Sequence, residues 1–326
     1  MKQRLLALAA ASLFSFQALA QQDGFLPSQL EGQKKFESDF LKAVNFDRFK
    51  VHLSELTKNP HIAGTPENEL VKDYMVKTMA DAGMDVKVWP YDVYLPNHPG
   101  KSELQIISPV QMTLSQKEGA LPDDPFSDDP RLHLGFNAFS GSGDVTAEVV
   151  YVNYGTREDF MKLAEMGVPL AGKVAVARYG GNFRGYKAKY AEQYGMIGLV
   201  VYTDPKDSGF TRGEVYPKGP FFNETTIQRG SMLTLDFTGD PLTPNRPALP
   251  LDGAKKIKRD DPADVDFHTI PVTPIGYGAA KEILSRMTGS EAPEAWQGGL
   301  PFKYRITGGP ELKVRVMVDQ KPDFIR

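Results

Sequence analysis

Between Gly172 and Pro205 the chain reads GKVAVARYGGNFRGYKAKYAEQYGMIGLVVYTDP. A β-branched run, Val174-Ala175-Val176-Ala177, leads into a glycine-rich loop, Gly180 to Gly185. A helix-like segment from Lys187 to Tyr194 follows, then a second apolar run from Ile197 to Tyr202, closed by Asp204-Pro205. Strand, loop, helix and strand within about thirty residues form a crossover unit, which requires a sheet with helices packed on it. The rest of the chain has to supply that sheet.

The flanking sequence does so. Leu104-Gln105-Ile106-Ile107 and Glu148-Val149-Val150-Tyr151-Val152 read as strands, and Leu312 to Val318 alternates apolar and polar residues as a half-buried strand does. Arg157 to Met166 reads as a helix, and Ile270 to Pro274 leads into another from about Gly278 to Met287. Upstream, apolar residues from Leu30 to Leu56 recur at spacings near three and four, which predicts two short helices broken near Asn45. Thr65-Pro66 supplies a cap and a first-turn proline for a helix running to about Ala82, where Gly83 ends it. Asp85 to Leu95 is a strand candidate interrupted by Pro90. Residues 206–250 hold turn residues and few regular elements, a pattern that points to a functional or packed loop.

Residues 1–20 read as a secretory leader. Lys2 and Arg4 precede the apolar run Leu5 to Leu13, and Ala18-Leu19-Ala20 is a small-x-small cleavage site. The run is too short to span a bilayer comfortably, and no later segment is longer. The expected location is therefore secreted, periplasmic or extracellular, with cleavage after Ala20 and no membrane association after leader removal. The full chain carries a net charge of −3, and loss of Lys2 and Arg4 makes it about −5. That balance excludes a broad nucleic-acid footprint. The 326 residues contain no cysteine, so disulfides, thiolate metal sites and cysteine nucleophiles are all absent.

Motifs that carry chemistry are scarce. His52, His61, His98, His133 and His268 never fall three or four residues apart, so no pair nucleates a zinc site. Phe139-Ser140-Gly141-Ser142-Gly143 has the look of a nucleophile elbow, but no strand leads in and no helix leads out, and a flexible turn is the better reading. Gly180-Gly181-Asn182-Phe183-Arg184-Gly185 lacks the spacing and the later acidic residue of a dinucleotide site. The acidic loop Pro122 to Pro130 reads as a solvated loop or as an oxygen-ligand calcium site without an EF-hand spacing. Arg184, in a loop at a strand's carboxyl end, is the one charged residue singled out: it either grips a carboxylate or pairs with a neighbouring Asp or Glu.

Several segments together resemble glutamate carboxypeptidase II. They are Asn59 to Thr65, Tyr91-Asp92-Val93, Val150 to Phe160, Gly172-Lys173-Val174, Ala177 to Gly180, Phe183-Arg184-Gly185, Gln228-Arg229-Gly230, Gly239 to Pro244 and Ile270 to Tyr277. They occur in the family's order from about residue 30 onward. The transferrin receptor ectodomain shares the architecture. The resemblance implies an α/β fold: a protease-associated (PA, or apical) domain with a β-sandwich-like core and flanking helices, plus an incomplete N-terminal segment of a zinc exopeptidase α/β domain. The implied boundaries are 1–20 leader, 21–91 opening segment of the peptidase domain, 92–323 PA domain, and 324–326 the return to the peptidase core. The opening helices and the strand near Val86 then form an unfinished layer with exposed apolar faces.

In the family the zinc ligands and the general base follow this region, so the resemblance implies an N-terminal, truncated portion of an exported metallopeptidase that releases C-terminal acidic residues when complete. No catalytic or metal-binding residue is assigned in this chain. Zinc is the cofactor of the complete family enzyme only, and the chain alone is expected to be inactive. Arg184 matches the family arginine that holds the substrate's C-terminal carboxylate. Ser231 stands where the family has an assisting asparagine, which puts a strict glutamate preference in doubt. The implied partner is a peptide with a C-terminal carboxylate. The family forms homodimers through a domain not found here. Thr243 and Arg246 match backbone contributors to a structural calcium site whose acidic side chains lie elsewhere. The alternative function is a PA module that binds peptides or proteins without chemistry.

Overall fold

The structure, a computed structural model, describes residues 24–326. The leader expected over residues 1–20 lies outside the described residues. The chain divides into two units after Thr57.

The first unit contains helices α1 (Leu30–Ala43) and α2 (Phe46–Thr57). They break at Val44-Asn45 as the spacing predicts. Val44 turns out of helical geometry, and the Asn45 side chain accepts a bond from the Arg48 N–H at 3.1 Å, starting the second helix. No residue of either helix is buried. Phe36, Phe40, Phe46 and Phe49 remain between 61% and 81% exposed, so the apolar stripes have no cover among the described residues.

The second unit opens with α3 (Pro66–Asp81). The Thr65 hydroxyl accepts from the Asn68 N–H, and Pro66 occupies the first turn. Gly83, at φ +84°, stops the helix in a conformation that a Cβ would strain. The strand anticipated over Asp85–Leu95 forms only over its last three residues, β1 (Val93–Leu95). Residues 85–91 run without regular structure and find no ladder partner, and Pro90 has no N–H to offer one. A strand exists only where a neighbour hydrogen-bonds to it, and here the neighbour, Asp323–Ile325, pairs with Val93–Leu95 alone.

The core is a seven-stranded mixed sheet. Its strands are β2 (Lys101–Ser108), β3 (Met112–Thr113), β5 (Gly143–Tyr151), β6 (Val174–Arg178), β7 (Gly198–Tyr202), β9 (Val272–Ile275) and β10 (Lys313–Asp319), in the order β3-β2-β10-β5-β6-β7-β9. The short strands β4 (Asn137–Ala138) and β8 (Gly230–Ser231) pair in parallel, and β1 pairs antiparallel with β11 (Asp323–Ile325). In the large sheet β5, β6, β7 and β9 are mutually parallel, while β10, β2 and β3 continue it antiparallel.

Sequence pattern explains the two halves. Every residue of β6 and β7 is buried, as expected of parallel strands covered on both faces. In β10, Val314, Val316 and Val318 point inward and the intervening residues do not, the period of a sheet with one wet face. Helix α4 (Arg157–Glu165) connects β5 to β6, α5 (Arg184–Gln193) connects β6 to β7, and α7 (Tyr277–Leu284) follows β9. The four-residue α6 (Pro205–Ser208) caps the end of β7. Phe160 and Leu163 of α4, Ala188 and Ala191 of α5, and Ile283 of α7 join the sheet residues in one apolar cluster. The crossover unit of the sequence is thus the centre of the sheet, and the expected α/β class holds.

The glycine-serine turn at 139–143 differs in one respect from its reading. The two-residue strand β4 leads in and β5 leads out. Ser140 Oγ accepts from the Val272 N–H at 2.8 Å, and Ser142 Oγ accepts from the Gln320 N–H at 3.0 Å. Both hydroxyls tie the turn to neighbouring strands, which is a structural task.

Candidate functional site

The site lies at the carboxyl end of β6. After Arg178 and Tyr179, Gly180 and Gly181 turn the chain with φ of +103° and +74°. A side chain at Gly181 would come within 2.8 Å of the Tyr154 Cβ. Phe183 is extended and forms the N-terminal boundary of α5, so Arg184 is the first helical residue rather than a loop residue. The two glycines complete the turn early and leave Arg184 free to take helical geometry. Gly185 lets the helix pass close to another segment, because a Cβ there would lie 2.2 Å from the Met232 carbonyl.

Arg184 is half-buried and makes no ion pair among the described residues. Its Nε is buried without a hydrogen-bond partner. The guanidinium lies against the backbone of Gly230, where an added Cβ would be 2.2 Å from Nη1 and 2.3 Å from Cζ. Cζ stands 5.2 Å from the Phe183 ring centre and 5.8 Å from that of Tyr179. With Nε buried and unpartnered, the guanidinium keeps a donor free, and the planar fork of an arginine matches a carboxylate in shape.

Ser231 follows Gly230 directly, so the structure brings both sequence-selected residues to one place. The Ser231 Oγ accepts from the Leu233 N–H at 3.1 Å, which leaves the hydroxyl hydrogen available to donate. β8 is held in position by its pairing with β4, Gly230 opposite Asn137 and Ser231 opposite Ala138. Tyr179 reinforces this join: its hydroxyl bonds Asn137 Oδ1 at 3.1 Å and the Gln228 carbonyl at 2.9 Å. Burial pushes the Tyr179 phenol up to about 12, so it stays neutral.

One turn below Arg184 sits Lys187, which the sequence reading passed over. Its side chain is fully buried. The ammonium donates to the carbonyl of Gly180 and to Asn182 Oδ1, each at 2.7 Å, and to the Tyr154 carbonyl. Three donors meet three acceptors, two of them on the turn that presents Arg184. Burial pulls this lysine down to about 7, and Asp159 partly counters that. The available signal was its place on the helix face shared with buried Ala188 and Ala191.

Behind the turn, Arg178 is 1% exposed and forms two 3.0 Å bonds to the Asp207 carboxylate. It also donates to the Tyr154 hydroxyl and stacks 4.1 Å over that ring. Tyr154 therefore joins the Lys187 cage to the Arg178 pair.

The histidines do not assemble. His268 lies between Glu192, at 2.7 Å, and the Thr234 hydroxyl, at 3.2 Å; His133 packs edge-on to Phe136; His61 and His98 bond local backbone. Among the described residues no three His, Cys, Asp or Glu side chains converge as metal ligands. The donor set that a resident zinc needs does not fit these residues, and no chemical step is assigned through one. Thr243 Oγ1 donates to Asp240 Oδ2 at 3.0 Å, while Asp240 Oδ1 accepts from the Tyr94 N–H, so this carboxylate knits the segment together. No helix among the described residues is long and apolar enough to cross a membrane.

Comparison with known proteins finds relatives along most of the chain. Residues 145–235 match the PA domain family, a span that includes β6, α5, β7 and both Arg184 and Ser231. A glutamate carboxypeptidase 2 homolog of Caenorhabditis elegans is 32% identical over 297 residues, covering 87% of this chain and 38% of that protein. Aminopeptidase NAALADL1 of Mus musculus is 32% identical over 283 residues, covering 82% of this chain and 36% of its own length. Among solved structures, an aminopeptidase from Aneurinibacillus sp. strain AM-1 superposes with a TM-score of 0.41 at 17% identity, covering 87% of this chain and 46% of that one. The chain thus spans about two fifths of the length of the curated relatives it matches. It carries a PA domain and is homologous, over most of its length, to the glutamate carboxypeptidase 2 homologues and aminopeptidase NAALADL1.

Proposed function

We propose that this chain is the PA-domain-bearing portion of an exported glutamate carboxypeptidase-like metallopeptidase, and that Arg184 holds the C-terminal carboxylate of a peptide substrate. In this reading residues 21–91 open the peptidase domain, 92–323 form the inserted PA domain, and 324–326 return to the peptidase core. The metal and the groups that activate water come from outside the described residues. The PA domain's part is recognition: it orients the peptide end while the other groups do the chemistry.

The observation that carries the reading is the Arg184 guanidinium, half-buried, without a carboxylate partner among the described residues and close against Gly230. Ser231 adds one donor beside it. A serine is shorter than the family's asparagine, so the reading includes a looser preference for the terminal side chain. The relatives' names, glutamate carboxypeptidase and aminopeptidase, agree with peptide ends as the substrate class.

The test is a titration of the purified chain with acetyl-Ala-Glu and with the same dipeptide amidated at its C-terminus, followed by amide and guanidinium NMR shifts. The acid should shift Phe183, Arg184 and Ser231 saturably, and the amide should bind at least tenfold more weakly, as expected for loss of a charge-assisted pair of about 1.5–3 kcal/mol. Arg184→Ala should abolish the difference between the two. Equal binding of acid and amide, or an unchanged Arg184→Ala variant, would overturn the assignment.

A further inference from the structure

Away from Arg184, two cavities share lining residues, the second of them between β3 and the helix that follows β9. The first has a volume of about 390 Å³ and is walled by Leu121, Leu132, Tyr216, Phe221 and Phe222. The second, about 410 Å³, is walled by Met112, Leu114 and Ala279. Lys117 and Thr225 line both, so the two are halves of one groove. Thr225 is held at this divide by a 3.0 Å bond from the Gly119 N–H. Each half lies in the size range of roughly 300–1,000 Å³ that suits a ligand group, and the first has the aromatic walls such sites favour.

The lining of the groove is predominantly acidic. Glu118, Asp124, Glu224 and Glu282 line it against a single lysine. Lys117 is engaged by Asp128, at 2.9 Å, outside the lining. Glu118 and Glu282 have arginine partners at 3.0 and 2.7 Å. Asp124 and Glu224 have no ion pair among the described residues, one in each half of the groove. The second half also runs along a free sheet edge. β3 is the outermost strand, and Met112 and Thr113 pair only with Ile106 and Gln105 on its inner side. An unpaired edge beside an apolar trough is the geometry on which an extended peptide adds as a further strand.

We propose that this groove binds an extended peptide segment in which apolar side chains alternate with lysine or arginine. The apolar side chains fill the two halves, the basic ones face Asp124 and Glu224, and the backbone lies along β3. The site is separate from the Arg184 grip and does not depend on it. A basic segment suits the groove because an acidic one would set its charges beside Asp124 and Glu224, the two lining carboxylates without an ion pair among the described residues.

The test uses acetyl-Lys-Phe-Lys-Leu-Lys-amide, which has no carboxylate for Arg184 to hold, with the full chain in calorimetry. Saturable binding is expected. It should weaken at least tenfold in the Asp124→Asn/Glu224→Gln double variant and fall as salt rises. It should be unchanged in Arg184→Ala. Hydrogen exchange should slow at Met112–Ser115 and at 216–226 when the peptide is added, a readout that does not depend on the variants folding. Equal binding of acetyl-Glu-Phe-Glu-Leu-Glu-amide, or no saturable binding at millimolar peptide, would overturn the proposal. So would protection of the same segments on concentrating the chain alone, which would assign the groove to a second copy.

Discussion

Gly230→Ala separates the carboxylate grip from the fold. Gly230 has no positive φ, so alanine can adopt its backbone conformation without strain. The new Cβ would fall 2.2 Å from Arg184 Nη1, against about 3.4 Å for ordinary contact. The guanidinium must therefore retreat by roughly 1.2 Å or more. It is the far end of a flexible side chain, so stability should change by less than about 1 kcal/mol and the melting temperature by about 2–4 °C at most. Binding is another matter. Two parallel N–H···O bonds tolerate little misplacement, and losing their alignment should remove about 1.5–3 kcal/mol, or ten- to a hundredfold in affinity for a C-terminal carboxylate. The assay is the acetyl-Ala-Glu titration run on the wild type and on Gly230→Ala, with a thermal melt of each. Arg184→Lys is the control, since it keeps the charge and loses the fork. If Gly230→Ala binds the dipeptide as the wild type does while melting normally, the guanidinium is not the grip.

Other outcomes follow from the cage and its braces. Lys187→Met orphans three acceptors, each worth about 1–3 kcal/mol if left dry, so a loss of about 2–5 kcal/mol is expected after allowing for relief of the buried charge. The pH dependence has a defined sign: with a folded value near 7 and an unfolded value near 10.4, the unfolded chain holds the extra proton between them. Wild-type stability should thus rise relative to Lys187→Met from about pH 7 to pH 9, by up to about 1.4 kcal/mol per pH unit in urea melts; parallel profiles would refute the assignment. Asp207→Asn leaves the buried Arg178 without its counter-charge and should lower stability by about 3 kcal/mol, read as a fall of about 6–12 °C in melting temperature. The Arg326 bonds hold the Asp92 carboxyl below its usual range, against the opposing effect of burial. Stability from that pair is present above about pH 4 and is lost as pH falls further, so the wild type and Asp92→Asn should converge in acid melts. If residues 1–20 act as the expected leader, mass spectrometry of the protein produced with its full sequence should give Gln21 as the first residue; retention of Met1 would refute the leader.

Where structure followed from local spacing, the sequence could be read directly. The Thr65-Pro66 start, the break at Asn45, the alternation of Val314, Val316 and Val318, and the crossover from Val174 to Tyr202 each depend on neighbours within a few residues. Misreadings arose where a distant partner decides. Asp85–Tyr91 has the residues of a strand and no strand beside it. Arg184 was identified by its place after a strand, but its helical position depends on how soon Gly180 and Gly181 close their turn. Lys187 has a local signal in its helix face, but the acceptors that satisfy its buried ammonium, the Tyr154 and Gly180 carbonyls among them, come together only in the fold. The acidic groove is spread over three stretches that only the folded sheet brings together.

The junction of β1 with β11 bears on why so large an excursion can be carried at all. Val93 pairs with Ile325 and Leu95 with Asp323, and Arg326 closes on Asp92 and Asp252. The chain therefore leaves and returns at one point after building the whole seven-stranded sheet between. For the proposed insertion this matters energetically. A loop's closure cost grows only as the logarithm of its length, and here the β1–β11 pair makes the closure at the proposed boundary between the PA domain and the peptidase core. The PA domain, in turn, would deliver Arg184 to the host with the precision of a folded core, since the arginine starts a helix packed on the central strands. A binding residue placed on such a scaffold can be positioned more accurately than one on a long free loop. This is the physical reason to place substrate recognition here and the metal chemistry elsewhere.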